Sequence, residues 1–228
     1  MRIAEIYKSL QGEGLLTGTE SAFLRTSGCN LRCWYCDTPY TSWNPTGDDL
    51  AVSEIVRQVN ELDCHHVVIT GGEPMLHAEM IPVCQQLHDA GHHITIETAG
   101  TLFLPVERNL MAISPKLANS DPSPDDHPGW NRRHRRTRHA PGVIRKLVSQ
   151  YHYQFKFVID TPRDCEQVAL FLEEFPEIHR DRVYLMPQGT TADELEMRSE
   201  WLRPYCEANR FRFCPRMQIE WFGLRQGT

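Results

Sequence analysis

Short apolar, β-branched segments alternate along this chain with amphipathic helical patterns, and this alternation restricts the folds that the sequence can adopt. One helical pattern begins at Ser53, the predicted N-cap; a second begins at Glu79 and ends before Gly91. A third begins at a capping-box variant formed by Thr161 and Asp164. The alternation predicts an α/β fold with a parallel sheet or partial barrel, whose active site lies at the carboxyl ends of the strands. The predicted strands are Ser21–Arg25, His66–Thr70, His93–Thr98, Leu110–Ser114, Tyr153–Asp160, Arg182–Met186 and Phe211–Cys214.

Length and composition are those of an ordinary globular protein, which we expect to form a single domain over residues 1–228. Hydrophobic residues make up 40% and charged residues 24% of the chain. The net charge of -6 argues against a general attraction to nucleic acid or to anionic membranes. The sequence has no apolar run long enough to cross a bilayer, and its start does not resemble a signal peptide. We therefore expect a cytoplasmic protein.

A basic, proline-rich segment, Asn119–Pro141, interrupts the alternation and contains few apolar residues. Its second half, Asn131–His139, contains five arginines and two histidines. Such a composition is typical of a solvated surface insertion, which is our prediction for this segment. The alternative is a loop that contacts phosphate or RNA, but the segment lacks an array of aromatic residues on which bases stack.

Three cysteines, Cys29, Cys33 and Cys36, follow one predicted strand with the spacing C-x3-C-x2-C. The other five are scattered among apolar or helical patterns, where cysteine behaves as a small buried hydrophobe. Thiolates are the usual ligands of iron–sulfur clusters, and three of them leave one iron of a 4Fe–4S cluster open to another ligand. A structural zinc site normally has four protein ligands, and the sequence offers no evident second pair. The spacing therefore favours a cluster with one open iron.

A second motif, Thr70-Gly71-Gly72-Glu73-Pro74, stands at the end of another predicted strand. Together with the cysteine triple it resembles the radical S-adenosylmethionine (SAM) superfamily. In that superfamily SAM chelates the open iron, and the reduced cluster cleaves SAM to a 5′-deoxyadenosyl radical. The resemblance implies that Tyr35 lies against the adenine, and that Gly72 and Glu73 bind the methionine amino group.

Further motifs resemble the 7-carboxy-7-deazaguanine synthase family of that superfamily. The resemblance implies a partial TIM-like barrel of about six parallel strands with reduced helices. The implied activity is a lyase reaction that converts 6-carboxy-5,6,7,8-tetrahydropterin to 7-carboxy-7-deazaguanine with release of ammonia, in queuosine biosynthesis. SAM and Mg²⁺ are the implied cofactors beside the cluster. The motifs are Ser9–Gly14, Phe23–Leu31, Cys36–Thr38, Glu97–Thr101, Ser114–Lys116 and Met186–Gly189.

The family's site residues map onto matching positions of this sequence. Arg25 is expected to pair with the substrate carboxylate, because a planar guanidinium binds a carboxylate in a fork. Thr38 is expected to ligate Mg²⁺, a hard ion that takes oxygen ligands, with Asp37 beside it. The other implied substrate contacts are Leu10, Gln11, Gly12, Glu13 and Thr70. The SAM contacts are Tyr35, Gly72, Glu73, Ser114, Lys116 and Gln188.

The resemblance also implies a flavodoxin or ferredoxin as electron donor and a homodimeric assembly, with no nucleic acid as direct substrate. Ala99 stands where family members commonly have asparagine. Two alternatives remain at this point. One is a glycyl-radical-enzyme activating protein, which has a similar length and the same cysteine spacing. The other is a zinc-stabilised or nucleic-acid-binding module, suggested by the cysteines and the arginine-rich segment together.

Overall fold

The computed structural model describes residues 1–227 and contains one continuous sheet. Nine strands form it within the described part of the chain. They are β1 (Arg2–Leu10), β2 (Glu20–Thr26), β3 (Asp48–Asp49), β4 (His66–Gly71), β5 (His93–Thr98), β6 (Leu110–Ile113), β7 (Tyr153–Ile159), β8 (Val183–Pro187) and β9 (Arg212–Phe213).

Seven of these strands run parallel, in the spatial order β2-β4-β5-β6-β7-β8-β9. Strand β1 pairs antiparallel with β2, and β3 pairs antiparallel with β1 at the edge. Because β9 has only two residues, six longer parallel strands remain, in agreement with the predicted number. The sheet is open, as in a partial TIM-like barrel, and the predicted fold class is confirmed.

Strands β6 and β8 are apolar on both faces, as expected for parallel strands that are covered on both sides, whereas β5 and β7 alternate and carry Glu97 and Lys156 on the cavity side. Every residue of β6 and of β8 is buried. Four phenylalanines on and beside β7 contact one another in stacked, tilted or edge-to-face pairs with ring centroids 4.6 to 6.1 Å apart, and they form part of the main core. The four are Phe155, Phe157, Phe171 and Phe175. Their packing holds the strands in place, and with them the residues at the strand ends.

Eight α-helices accompany the sheet within residues 1–227, and none of them is long and apolar enough to span a membrane. They are α1 (Pro39–Ser42), α2 (Val52–Glu61), α3 (Met80–Asp89), α4 (Pro128–Thr137), α5 (Pro141–Gln150), α6 (Pro162–Glu174), α7 (Ala192–Asn209) and α8 (Met217–Phe222).

The helix starts agree with the sequence at α6 and differ at α2. At α6 the Asp164 carboxylate accepts the backbone N–H of Thr161 at 2.8 Å, which confirms the predicted capping box. The prediction that Ser53 is an N-cap is wrong: α2 begins at Val52, and its N-cap is Ala51, which makes no side-chain cap. Val52 packs against the core, so burial of this apolar side chain extends the helix beyond the residue with capping chemistry.

The segment 119–141 is not the purely solvated insertion that its composition predicts. It contains α4, and within α4 the side chains of Asn131 and His134 are buried. His134 Nδ1 accepts the backbone N–H of Arg32 at 3.0 Å, and His134 Nε2 lies 2.9 Å from Ser120 Oγ. His134 thus docks the helix onto the loop that carries the three cysteines, and Asn131 ties it to the preceding segment by donating to the carbonyl of Pro122 at 2.7 Å.

Candidate active site

A cavity of about 320 Å³ opens at the carboxyl ends of the parallel strands, where the fold predicts an active site. All but one of the predicted site residues line this cavity, including those that resemblance assigns to the cluster, SAM, Mg²⁺ and substrate. They are Leu10, Gln11, Gly12, Glu13, Arg25, Cys29, Cys33, Tyr35, Cys36, Thr38, Thr70, Gly72, Ser114, Lys116 and Gln188. The exception is Glu73.

The cysteine loop is held against the Gly-Gly motif by backbone hydrogen bonds. The carbonyl of Gly28 accepts the N–H of Glu73 at 2.9 Å, and the N–H of Gly28 donates to the carbonyl of Thr41 at 2.8 Å. A Cβ added at Gly72 would lie 2.0 Å from the Gly28 carbonyl oxygen, so this approach of two chains requires glycine. The two motifs that predicted the superfamily therefore depend on each other structurally.

The three thiols suit a cluster rather than a single metal ion. Cys29, Cys33 and Cys36 are unpaired and line the same cavity. Within residues 1–227, no group of three or more His, Cys, Asp or Glu side chains is close enough to hold one ion. In a 4Fe–4S cluster each thiolate binds a different iron, so its cysteines stand further apart than the ligands of one zinc ion. The donor set fits the cluster, and it does not fit the mononuclear zinc site of the alternative.

Burial raises the pKa of the Cys29 thiol to about 11 and that of the Cys33 thiol to about 12, with neighbouring thiols adding to the effect. A thiolate in this loop therefore needs a nearby positive charge, which an iron–sulfur cluster supplies. The backbone N–H of Leu31 points at Cys29 Sγ from 3.4 Å, and the Ser42 hydroxyl lies 3.2 Å from Cys36 Sγ.

Glu73 does not line the cavity, in contrast to the expectation that its side chain binds the methionine amino group. Its side chain is fully buried behind the cavity wall. The carboxylate accepts the Thr98 hydroxyl and the Ala99 N–H at 2.8 Å each, and the Met75 N–H at 3.1 Å. Glu73 thus ties the end of β5 to the Gly-Gly turn, with two protein donors on Oε1 and one on Oε2.

The predicted SAM contacts that follow β6 and β8 line the same cavity as the cysteines. Lys116 Nζ donates to Ser114 Oγ at 2.7 Å and to the Ser114 carbonyl at 2.8 Å. Gln188 is buried immediately after β8, and its backbone N–H donates to the carbonyl of Ile159 at 2.8 Å. These side chains give the cavity one ammonium and one amide near the cysteine loop.

Arg25 lines the cavity but is engaged by protein partners as well. Its Nε lies 2.6 Å from Glu5 Oε1, and its Nη2 lies 2.6 Å from the Tyr7 hydroxyl. The Tyr40 hydroxyl also donates to Glu5, at 2.7 Å. Glu5 and two tyrosines therefore fix the guanidinium at the cavity wall, where its side chain stays 16% exposed.

A second cluster of charged side chains lies inside the cavity. Its centre is Lys156 on β7, a residue that the sequence analysis did not single out. Its Nζ lies 2.9 Å from Glu13 Oε2 and 2.8 Å from Glu97 Oε1. Glu97 also accepts the Thr70 hydroxyl at 3.0 Å and the Gln11 side-chain amide at 3.4 Å. Burial opposes the ionisation of Glu13, but Lys156 and Arg216 outweigh it and lower the pKa of Glu13 to about 2.

The segment after β9 closes this side of the cavity. The Gln218 side-chain amide donates to Glu13 Oε1 at 2.6 Å, and Arg216 contacts Gly189 and the Asp37 carboxylate. A Cβ at Gly12 would lie 2.2 Å from Gln218 Oε1, so a larger residue there would push the segment outward. Ile219, Gly223 and Leu224 continue the lining, although the sequence of this segment carried no predicted site residue.

Thr38 stands at the cavity rim as the N-cap residue of α1. Its hydroxyl lies 3.3 Å from the Thr41 hydroxyl and 3.8 Å from Cys36 Sγ. The expected partner of Thr38, Asp37, instead forms an ion pair with Arg216. The hydroxyl therefore remains next to the cluster loop, with an oxygen that faces the cavity.

Comparisons with known proteins agree with this geometry. A sequence profile for the radical SAM superfamily matches residues 23–115. A protein of Rhodopirellula baltica named 7-carboxy-7-deazaguanine synthase is 43% identical over 227 residues, which cover 99% of this chain and 88% of that protein. Its namesake from Halobacterium salinarum is 39% identical over 95% of this chain and 88% of its own length.

Among solved structures, the crystal structure of QueE from Escherichia coli matches 94% of this chain and 92% of its own chain with a TM-score of 0.68. At 23% identity this likeness shows the fold. Superfamily membership brings a 4Fe–4S cluster and SAM as cofactors. The chain belongs to the 7-carboxy-7-deazaguanine synthase family of radical SAM enzymes.

Proposed function

We propose that this protein is a radical SAM lyase that converts 6-carboxy-5,6,7,8-tetrahydropterin to 7-carboxy-7-deazaguanine and releases ammonia. The relatives of that name match nearly the whole chain, and the cavity offers the chemistry that such a substrate needs. The observation that carries the proposal is that one cavity contains two separate charged groups, one cationic and one built on carboxylates. One is the Arg25 guanidinium, and the other is formed by the carboxylates of Glu13 and Glu97 around Lys156.

The pterin ring has a planar edge of amino and imino donors beside a carbonyl acceptor. The carboxylates of Glu13 and Glu97 are acceptors suited to the N–H donors, and Lys156 is a donor suited to the carbonyl. Gln11 and Thr70, which also contact Glu97, add neutral donors and acceptors at the same place. Because all of these groups are paired with one another, these contacts keep them oriented, and binding replaces some of them with contacts to substrate.

Arg25 is suited to the carboxylate on the other side of the pterin. Glu5 holds its Nε and Tyr7 holds one terminal nitrogen, which orients the plane of the guanidinium toward the cavity. Charge-assisted hydrogen bonds to a carboxylate are roughly twice as strong as neutral ones. The carbon that bears this carboxylate is then the one held nearest to the cysteine loop.

When bound, the cluster and SAM supply a carbon radical that removes a hydrogen atom from the substrate. Cys29, Cys33 and Cys36 are the proposed cluster ligands. Tyr35, Gly72, Ser114, Lys116 and Gln188 are the proposed contacts of SAM, with Glu73 as a positioning residue behind them. The part of the chain in this chemistry is to orient both reactants and to exclude water, since the cofactor carries the reactive step.

Thr38 is the proposed protein ligand of Mg²⁺. A magnesium ion keeps several waters and takes its other ligands from a few oxygens, often those of the substrate. At the cavity rim, one hydroxyl and a substrate carboxylate together satisfy this requirement. A flavodoxin or ferredoxin as electron donor, a homodimer and a cytoplasmic location complete the proposal.

Thermal unfolding of the anaerobically reconstituted protein tests the substrate class. A ligand that binds only the native state raises the midpoint of unfolding. We expect 6-carboxytetrahydropterin to raise it strongly and tetrahydropterin without the carboxylate to raise it weakly. No shift with either pterin contradicts the proposal and favours the glycyl-radical activating enzyme, whose substrate is a protein loop.

A further inference from the structure

Helix α4 presents a concentrated positive charge on a protein whose net charge is -6. Its exposed side chains include four arginines, and we call this set the arginine face: Arg132, Arg133, Arg135 and Arg136. None of the proposed steps of the lyase reaction uses it. A strong local field of this kind steers an oppositely charged partner toward the surface that carries it.

The arginine face is only partly neutralised by the protein itself. Arg135 lies 3.5 Å from Asp121, which also pairs with Arg138 at 3.0 Å. Within residues 1–227, Arg132 and Arg136 have no acidic partner or hydrogen-bond acceptor for their side chains. The exposed Asp125 and Asp126 precede the helix N-terminus, whereas the arginines occupy its middle and last turns. The patch thus keeps unpaired cations at its centre and carboxylates at one border.

This helix is attached directly to the loop that carries the cluster cysteines. His134, between the arginines, accepts the N–H of Arg32, which immediately precedes Cys33. The Arg32 guanidinium lies over the Trp130 ring, 4.0 Å from its centroid. The indole N–H of Trp34, which follows Cys33, donates to the carbonyl of Asn119 at 2.6 Å.

Trp34 brings the cluster loop to the protein surface beside this helix. Its side chain is 53% exposed although its neighbour Cys33 is buried. Exposed tryptophan and arginine are the residue types that are enriched at protein–protein interfaces and at their energetic centres. The outer surface of the cluster loop therefore combines an apolar contact with a cationic border.

The proposed reaction needs one electron from outside the chain before SAM is cleaved. Electron transfer slows steeply with distance, so a donor protein must dock where the cluster lies nearest the surface. The cavity is occupied by SAM and substrate during the reaction, and this leaves the outer side of the cysteine loop for the donor. This reasoning rests on the proposed function, because it requires the cluster.

We propose that the arginine face and Trp34 together form the docking surface for an acidic one-electron carrier protein of the flavodoxin or ferredoxin class. One electron leaves the reduced cofactor of the carrier and reduces the cluster, and no bond is formed or broken. The acidic surface of the carrier complements the four arginines, and Trp34 packs at the centre of the contact. RNA is the competing ligand for such a patch, and the lack of an array of aromatic residues on which bases stack disfavours it.

The test measures how fast a reduced flavodoxin bleaches the cluster absorbance of the reconstituted enzyme in an anaerobic stopped-flow experiment. The variant is Arg132→Glu/Arg136→Glu, whose two sites are exposed and unpaired. We expect its reduction rate to fall on the order of tenfold or more at low salt, because rim charges act mainly on association. The wild-type rate falls as potassium chloride is added, and the variant's rate stays nearly constant.

A matched control carries the same change of charge at the other end of the sheet. Lys8→Glu/Arg210→Glu alters two exposed residues near the amino ends of the parallel strands. This control is expected to be reduced as fast as the wild type. Dithionite, which needs no docking surface, is expected to reduce all three proteins at the same rate.

Three results overturn the proposal. The first is an Arg132→Glu/Arg136→Glu variant that flavodoxin reduces as fast as the wild type, with the same salt dependence. The second is equal slowing with dithionite, which places the defect in the cluster. The third is unchanged reduction with loss of tRNA retention on a filter, which assigns the patch to nucleic acid. Because no pterin is present, failure of the proposed lyase reaction leaves this readout intact.

Discussion

Lys156 Nζ lies 2.9 Å from the carboxylate of Glu13, a residue 143 positions earlier in the chain. The ammonium is buried and also contacts Glu97, so one cation holds two carboxylates at the pterin end of the cavity. Removing one partner of a buried ion pair lowers the free energy of unfolding by more than the intact pair contributes, because the remaining charge stays buried without compensation. This arrangement makes Lys156 the residue that keeps the substrate end of the cavity ordered.

Lys156→Met is therefore expected to lower the free energy of unfolding by about 3–5 kcal/mol and to abolish pterin binding. The side chain keeps its volume and loses its charge, which leaves Glu13 and Glu97 facing each other. Urea denaturation and the pterin-induced thermal shift measure the two effects. The double variant Lys156→Met/Glu13→Gln is expected to recover part of the stability. Full stability of Lys156→Met alone contradicts the role assigned to this lysine.

The lowered pKa of Glu13 predicts a specific loss of stability in acid. Its usual pKa of 4.5 applies to the unfolded chain, and the folded value is about 2. A group whose pKa is depressed by folding contributes stability that is fully present above the unfolded value and is lost as the pH falls through the folded one. The free energy of unfolding should thus decline between about pH 5 and pH 2 more steeply in the wild type than in Glu13→Gln. Parallel pH profiles for the two proteins would show that Glu13 is not ionised in this way.

Arg25→Ala tests the proposed contact with the substrate carboxylate. Loss of a charge-assisted hydrogen bond costs about 1.5–3 kcal/mol, which corresponds to a roughly 10- to 150-fold weaker Kd for 6-carboxytetrahydropterin. Calorimetric titration measures this Kd, and the iron content should be unchanged. Glu5→Gln is the matched control, since it removes the charged partner of Arg25 but keeps the guanidinium. An unaltered Kd in Arg25→Ala would remove this residue from the site.

His134 is predicted to position the cysteine loop. Burial lowers the pKa of His134 to about 4, so the ring is neutral near pH 7, with Nδ1 accepting the Arg32 N–H. His134→Ala leaves that N–H without an acceptor, and we expect a lower iron content after reconstitution and a faster loss of cluster absorbance in air. Asn places an oxygen near the position of Nδ1, so His134→Asn should retain more iron than His134→Gln. Equal iron in all four proteins would exclude a positioning role.

The strand ends, the Gly-Gly motif and the cysteine motif could be predicted from the sequence, because each is recognised from a few consecutive residues. Each motif directly follows a short apolar run, and parallel strands bring such positions to one edge of the sheet. Lys156 gave no such signal, because it stands in the middle of an aromatic β7 sequence and its partners come from distant segments. Gln218 contacts Glu13 across 205 positions, a relationship that only the folded chain reveals.

The segment around α4 differs from its sequence-based prediction for another reason. Five arginines dominate its composition, and a basic run usually lies on a solvated face. The structure agrees for the arginines themselves, whereas Asn131 and His134 on the same helix are buried. Spacing alone does not tell which polar residues of such a helix have buried partners, because the partners lie outside the helix, on the segment before it and on the cysteine loop.

Anaerobic turnover of the reconstituted protein with SAM, Mg²⁺, dithionite and 6-carboxytetrahydropterin tests the central claim most directly. Mass spectrometry reads the products, with Cys33→Ala as the control. We predict 7-carboxy-7-deazaguanine from the wild type and none from the control. Cleavage of SAM to 5′-deoxyadenosine without that product would contradict the proposed substrate.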